Sequence, residues 1–278
     1  MNKFVKYGII VLVVVAVVAC LFILNHRYTR ITDKDLSIYF FNAGKADACI
    51  IKKNNKYMMI DTGEEDLSAE ILAYFKKNKI NKLDYLIITH FDKDHVGSAA
   101  SIINSVEVDN ILQSNYPKES DEYESYLQAL EGKDIDVKTI TGDFKFALDD
   151  LEIVVNGPVG DFDNNESNNS SLITAITYKD NKFLFMGDAQ NGRIKEFLNH
   201  YNEKADFIKI PYHGNYMKQL DNLLDVVKPK IAVITSSKKE QEDDKTVNLL
   251  RNLNIKTYLT RNGAVMIKSN GNYIKVEQ

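Results

Sequence analysis

The hydropathy of this chain divides it at about residue 30. Residues 8–24 form an uncharged apolar run, with Lys3 and Lys6 before it and His26, Arg27 and Arg30 after it. As a helix rising ~1.5 Å per residue, that run is ~26 Å long, close to the ~30 Å hydrocarbon core it would cross once its flanks snorkel. It predicts an N-terminal transmembrane helix, with residues 1–30 as a membrane anchor and the remainder outside the cytoplasm as in signal-anchor proteins. Val17-Val18-Ala19-Cys20 also resembles a lipobox, so a lipoprotein attached at Cys20 is the alternative; residues 21–24 stay apolar where a mature lipoprotein turns polar.

Beyond the anchor, short apolar stretches alternate with segments of helical period. Strands are predicted at 37–41, 48–52, 57–60, 85–89, 110–113, 152–156, 172–178, 183–186, 207–210, 231–235, 257–260 and 265–268. Helices are predicted at 67–77, 97–104, 121–130, 191–199, 217–227 and 245–253. Many strands with fewer helices suit two mixed sheets packed face to face. The acidic, Asn-rich stretch 161–170 reads either as a surface connection or as a loop whose Asn-Ser end reaches a site.

Composition narrows the class. With 278 residues and 44% hydrophobic content, residues 31–278 can bury one sizeable core as a single domain. A net charge of −4 offers no global attraction for nucleic acid, so no stable nucleic-acid partner is expected and any polyanion depends on local cations. Two cysteines, Cys20 and Cys49, make no disulfide framework.

The chemistry concentrates in Thr89-His90-Phe91-Asp92-Lys93-Asp94-His95-Val96-Gly97, directly after an apolar strand. In an extended segment, His90 and Asp92 point the same way. A turn into a helix then aims Asp94 and His95 at a neighbouring point, so two metal positions are conceivable. A mixed His/Asp set is compatible with several divalent ions. The competing reading is a solvated loop that caps a helix.

His90-x-Asp92-x-Asp94-His95 resembles the His-x-His-x-Asp-His signature of the metallo-β-lactamase-fold hydrolases. Asp61-Thr62-Gly63 after a strand, Gly187-Asp188 after another and Pro211-Tyr212-His213-Gly214 after a third follow in that family's order. Within it, the chain is most similar to the ComEC-like domains of DNA-uptake proteins, through 41–48, Asn168-Asn169-Ser170-Ser171-Leu172 and 260–265; the likeness spans roughly 36–278. It implies a four-layer αββα metallo-β-lactamase-like sandwich, preceded here by the transmembrane helix. It also implies one or two divalent ions, zinc or manganese, held by His90, Asp92, Asp94, His95, Asp188 and His213. Asp188 bridges, and Asp94 and Asp188 serve as catalytic residues. His90, Asp92 and Asp188 would form the first position and Asp94, His95, Asp188 and His213 the second. Asp61 and Asp47 would orient ligand imidazoles from behind; their other reading is turn chemistry. No histidine precedes Ser171-Leu172 where the family has a third one, so unequal affinities are expected. Tyr212 would reach a substrate oxygen or simply pack.

The implied activity is hydrolysis of a phosphodiester, in DNA or a wall-linked polymer, by metal-activated hydroxide. Acyl or amide hydrolysis, as of β-lactams, is the alternative, and a degenerate binding module without full metal occupancy is another.

Overall fold

In the computed structural model, residues 2–160 and 167–278 are described, with the side chains of all but residues 5, 6, 8, 23, 24, 26 and 27. Two sheets face each other. The first contains β1 (Leu36–Phe40), β2 (Ala48–Lys53), β3 (Lys56–Thr62), β4 (Lys82–Ile88), β5 (Glu107–Gln113), β6 (Asp136–Thr139), β14 (Val265–Ser269) and β15 (Ile274–Glu277), in the order β15-β14-β1-β2-β3-β4-β5-β6. The second contains β7 (Gly142–Leu148), β8 (Leu151–Gly157), β9 (Ile173–Tyr178), β10 (Asn181–Phe185), β11 (Phe207–Lys209), β12 (Ile231–Ile234) and β13 (Lys256–Leu259), ordered β13-β12-β11-β10-β9-β8-β7.

Each sheet is half antiparallel and half parallel. The parallel halves, β3 to β6 and β10 to β13, need crossovers, and helices supply them. The first sheet is covered by α2 (Ser68–Asn78), α3 (Lys93–Val96), α4 (Ala99–Ser105) and α5 (Asp121–Leu130). The second is covered by α6 (Asn191–Leu198), α7 (Gln219–Val227) and α8 (Asp244–Asn252). Three apolar layers result. Between the sheets lie Ile38, Phe40, Ile51, Ile176, Phe183 and Phe207; Phe75, Leu86, Ile102 and Tyr126 pack under the first helical layer, and Leu184, Ile194, Leu220 and Leu250 under the second. This is the αββα sandwich that the resemblance implies, built on the two mixed sheets expected from the strand and helix pattern.

Three strands lie outside the hydropathy reading. β6, β7 and β15 sit at or next to sheet edges, and most of their side chains are exposed or half-buried. Backbone pairing holds them, and a segment such as Asp136-Val-Lys-Thr139 buries too little apolar surface to announce itself. The predicted helix at 97–104 is α4, which starts after Ser98, and a further single turn, α3, precedes it from Lys93. Asp94 and His95 therefore sit within a helical turn, not in the connection before one. Of the loop 161–170, residues 161–166 lie outside the described residues, and Ser167–Ser170 form one 3-10 turn.

At the N-terminus, α1 (Lys3–Thr29) is a continuous helix of 27 residues that passes through Cys20 without a break. Nothing in this arrangement favours lipid attachment there. Among the described residues no helix is long and apolar enough to cross a membrane, so the expected transmembrane span is not established. What is described of α1 is apolar and unprotected: Ile10, Leu12, Val14, Val18 and Phe22 are all more than half exposed. Its C-terminal end is tied to the β14–β15 turn. Asn270 Nδ2 donates to the carbonyls of Tyr28 and Arg30, and Tyr28 Oη donates to Asn272 O at 2.9 Å.

Candidate metal centre

The carboxyl ends of the parallel strands converge at one edge of the sandwich, where open α/β sheets place their sites. β4 ends at Ile88, and Asp61, at the end of β3, receives the chain as it leaves. Its carboxylate accepts from both Thr89 N and Thr89 Oγ1, each at 2.7 Å. Asp61 holds a left-handed φ of 54°, a conformation costly for a non-glycine residue and concentrated at functional sites. After Asp92 the single turn α3 swings Asp94 and His95 back toward the sheet edge. Gly97 permits this turn to lie against the 64–65 backbone: a Cβ there would meet Lys93 O at 2.5 Å and Glu65 N at 2.7 Å.

From the second sheet, β10 delivers Gly187-Asp188 and β11 delivers Pro211-Tyr212-His213. Tyr212 and His213 are both left-handed, with φ of 50°. That geometry turns the His213 ring inward, while Tyr212 packs against the apolar layer under α6 and α7.

Asp94, His95, Asp188 and His213 come together with one potential ligand atom each, all within 4.8 Å of one another. His213 Nε2 lies 3.0 Å from Asp188 Oδ2 and 3.1 Å from Asp94 Oδ2, and His95 Nε2 lies 3.5 Å from Asp188 Oδ2. His95 Nε2 and Asp188 Oδ1 are buried without a hydrogen-bond partner. Two imidazoles and two carboxylates converging, with orphaned atoms on His95 and Asp188, are what a divalent cation would satisfy, so the donor set fits a metal.

Each imidazole is held from behind. His95 Nδ1 lies 2.8 Å from Asp61 Oδ2. His213 Nδ1 lies 3.0 Å from Thr235 Oγ1, which itself donates to Asp47 Oδ1 at 2.6 Å. Both contacts place the proton on Nδ1 and leave Nε2 facing the centre. Asp47 thus reaches His213 through Thr235, a residue that carried no functional signal in sequence beyond ending an apolar strand.

His90 and Asp92 stand beside this cluster. His90 Nε2 is also a buried orphan and lies 3.7 Å from Asp92 Oδ2. The other Asp92 oxygen is engaged by Lys118 Nζ and Ser167 Oγ. Asp188 lies with His95 and His213. Asn169 Oδ1 accepts from Arg193 N at 3.0 Å, so that amide holds the start of α6.

Lys209 is a further site residue that the sequence did not single out. Its fully buried ammonium ion-pairs with Asp47, lies 3.5 Å from Asp188 Oδ1 and donates to Gly187 O at 3.0 Å. A lone lysine inside the apolar run Phe207-Ile-Lys-Ile210 was the available clue, since a charge in such a strand needs a partner.

The protonation pattern follows from this geometry. Burial alone would lower the His213 pKa; Asp188, Asp94 and Asp47 override it and raise it to about 9. Burial opposes and Asp188, Asp61 and Asp94 favour protonated His95, which titrates well above its ordinary value. For Asp94, burial pushes upward while His95 and His213 pull the pKa down to about 2. A raised histidine pKa stabilises the metal-free fold fully below pH ~6.5, and that contribution disappears as pH rises through about 9. A metal needs those same nitrogens unprotonated, so its affinity climbs over the same window. The melting temperature of stripped protein should therefore fall between pH 6.5 and 9 while metal-loaded protein holds steady. A gap that stays constant across this range would count against the assignment.

A sequence model of the metallo-beta-lactamase superfamily matches residues 42–236. The chain belongs to that superfamily. ComE operon protein 3 of Bacillus subtilis (strain 168) is 25% identical over 203 residues, covering 71% of this chain and 26% of the relative. Recombination protein 2 of Haemophilus influenzae is 25% identical over 202 residues, with 71% and 24% covered. The chain spans about a quarter of the length of each. Both agree with the ComEC-like resemblance. Among solved structures, the metallo-beta-lactamase fold protein YhfI from Bacillus subtilis superimposes with a TM-score of 0.57 at 10% identity, covering 87% of this chain and all of that one. The CmlA beta-hydroxylase E377D mutant does so at 0.56 and 13% identity, covering 86% and 55%. These two show the fold alone. Superfamily membership and the His/Asp cluster together support a metal-dependent hydrolase.

Proposed function

We propose that this chain is a membrane-anchored phosphodiesterase that uses zinc or manganese. The observation that carries the chemistry is the convergence of Asp94, His95, Asp188 and His213, with orphaned ligand atoms on His95 and Asp188. A divalent ion bound there would supply Lewis acidity and lower the pKa of water toward ~7. Around it, Asp61 and the Thr235–Asp47 pair keep both imidazoles oriented, and the ion pair with Lys209 holds Asp47 in place.

Two considerations favour a phosphodiester over an acyl centre. A second histidine in the His-x-His position is replaced by Asp92, and no further histidine stands before Ser171, so the neutral imidazole trio of the lactamase signature is absent. One relative is named a recombination protein, a process that acts on nucleic acid. The expected result is hydrolysis of bis(4-nitrophenyl) phosphate that needs added manganese or zinc and stops with chelator, without turnover of a chromogenic β-lactam. The reverse selectivity would replace this reading with acyl hydrolysis, and no turnover of either by metal-loaded protein would favour a binding module.

The anchoring rests on α1. Successive helical residues are ~100° apart, so exposed apolar side chains at Ile9, Ile10, Val11, Leu12 and Val13 cover its whole circumference. A helix apolar all round has to be buried in something, and basic flanks at an N-terminus favour a bilayer. The full chain should sediment with membranes and resist alkaline carbonate, whereas a chain starting at residue 31 should stay in the supernatant. Full-length protein released by carbonate would remove the anchor.

A further inference from the structure

The loop after β5 brings a lysine to a place where a second cation would otherwise be sought. Lys118 lies between β5 and α5, and its ammonium ion-pairs with Asp92 Oδ1, the oxygen that also accepts from Ser167 Oγ. The remaining oxygen, Oδ2, faces the orphaned His90 Nε2 at 3.7 Å. The position is built from both sides. Ser114 Oγ donates to Ser170 O at 2.9 Å, which ties the start of the Lys118 loop to the turn that carries Ser167.

Charge balance points the same way. Lys118 offsets Asp92 and Lys209 offsets Asp47. Asp61 is occupied by His95 Nδ1 and two hydrogen bonds from Thr89. Two carboxylates then remain aimed at the centre, Asp94 and Asp188, and they match the charge of one divalent ion. A second ion at His90 and Asp92 would have to displace an ammonium that has no lone pair to share with it, and repulsion between two close cations is weakly screened at a half-buried site.

We propose that the centre is mononuclear, with Lys118 standing at Asp92 as a fixed cation in place of a second metal. This rests on the reading of Asp94, His95, Asp188 and His213 as the ligands of one ion.

The test is metal stoichiometry. Full-length protein in detergent is loaded with excess manganese, desalted and measured by elemental analysis and native mass spectrometry. Wild type should hold one ion, Asp92→Asn should still hold one, and Lys118→Met should take up a second. Two ions in the wild type, loss of the ion in Asp92→Asn, or a Lys118→Met protein that still holds one would each overturn the proposal. His213→Ala separates the two levels, because it should hold none. If it keeps the ion, the ligand assignment fails whatever Lys118 does, and a wild type without metal overturns both. Lys118 is partly exposed on a loop, so its replacement does not threaten the core.

Discussion

Asp188→Ala should lower kcat/KM for a phosphodiester on the order of 10³-fold and release the metal from the desalted protein. The size follows from losing several kcal/mol of cation-mediated charge stabilisation, at ~1.4 kcal/mol per tenfold. Asp188 is singled out by its contacts. Its Oδ2 lies within 3.5 Å of both ligand imidazoles, its side chain is buried, and its N–H donates to Ser171 Oγ at 3.1 Å. Gly187 before it has a φ of 51°, and a Cβ there would press on Thr89 and Ser171 at 3.1 Å, so the carboxylate is aimed by backbone that other residues would not reproduce. Burial raises the Asp188 pKa, but His213, His95 and Lys209 bring it well below the ordinary carboxylate range, so it is an anion at every working pH. Asp188→Asn keeps the shape and loses the charge, and it should fall in the same direction. Activity within tenfold of wild type, with metal retained, would mean that the reacting centre lies elsewhere.

The second large effect is on stability. Lys209→Met should cost about 3–5 kcal/mol, the usual penalty for leaving a buried charge without its partner. For a chain of this size that is a fall of roughly 10 °C in melting temperature. The lysine is fully buried between Asp47 and Asp188, and its removal takes from the buried Asp47 carboxylate the ammonium it pairs with directly, leaving it to Thr235 and the more distant His213. Combining Lys209→Met with Asp47→Asn should recover a large part of the loss, because the orphaned charge goes with it. A double variant as unstable as the sum of the two single ones would show that packing of the lysine stem, and not the ion pair, sets the cost. Arg193 is a parallel case at the same end of the sandwich. It is fully buried, and its guanidinium donates to Ser171 O, Asn156 and Glu196, which clamps the 167–171 turn beneath the site.

Part of this centre was legible from residues alone: the His90-to-His95 cluster follows an apolar run, and a strand end is where side chains escape the sheet while the backbone stays rigid. Asp188 and His213 were reached through the family resemblance, which lone residues at strand ends would not have supplied. The edge strands β6 and β15 were not legible, because side chains that stay exposed leave no hydropathy trace. Thr235 and Lys118 were equally silent. A threonine ending a strand and a lysine in a polar loop are ordinary in composition, and only their distances to Asp47 and Asp92 give them a role.

What the sequence by itself determined is the alternation of strands and helices that suits two mixed sheets, the apolar N-terminal helix, and the His90-to-His95 cluster of candidate ligands. Those are properties of local period and residue type, which act over a few neighbouring positions. The distances at which those ligands meet, and the pairing of Asp92 with Lys118, were decided only by tertiary structure. Asp94 meets His213 across 119 residues and Asp92 meets Lys118 across 26, and no local rule carries information over such separations. Packing of the two sheets sets those distances, so the division of the carboxylates between a metal and a lysine is a property of the folded chain.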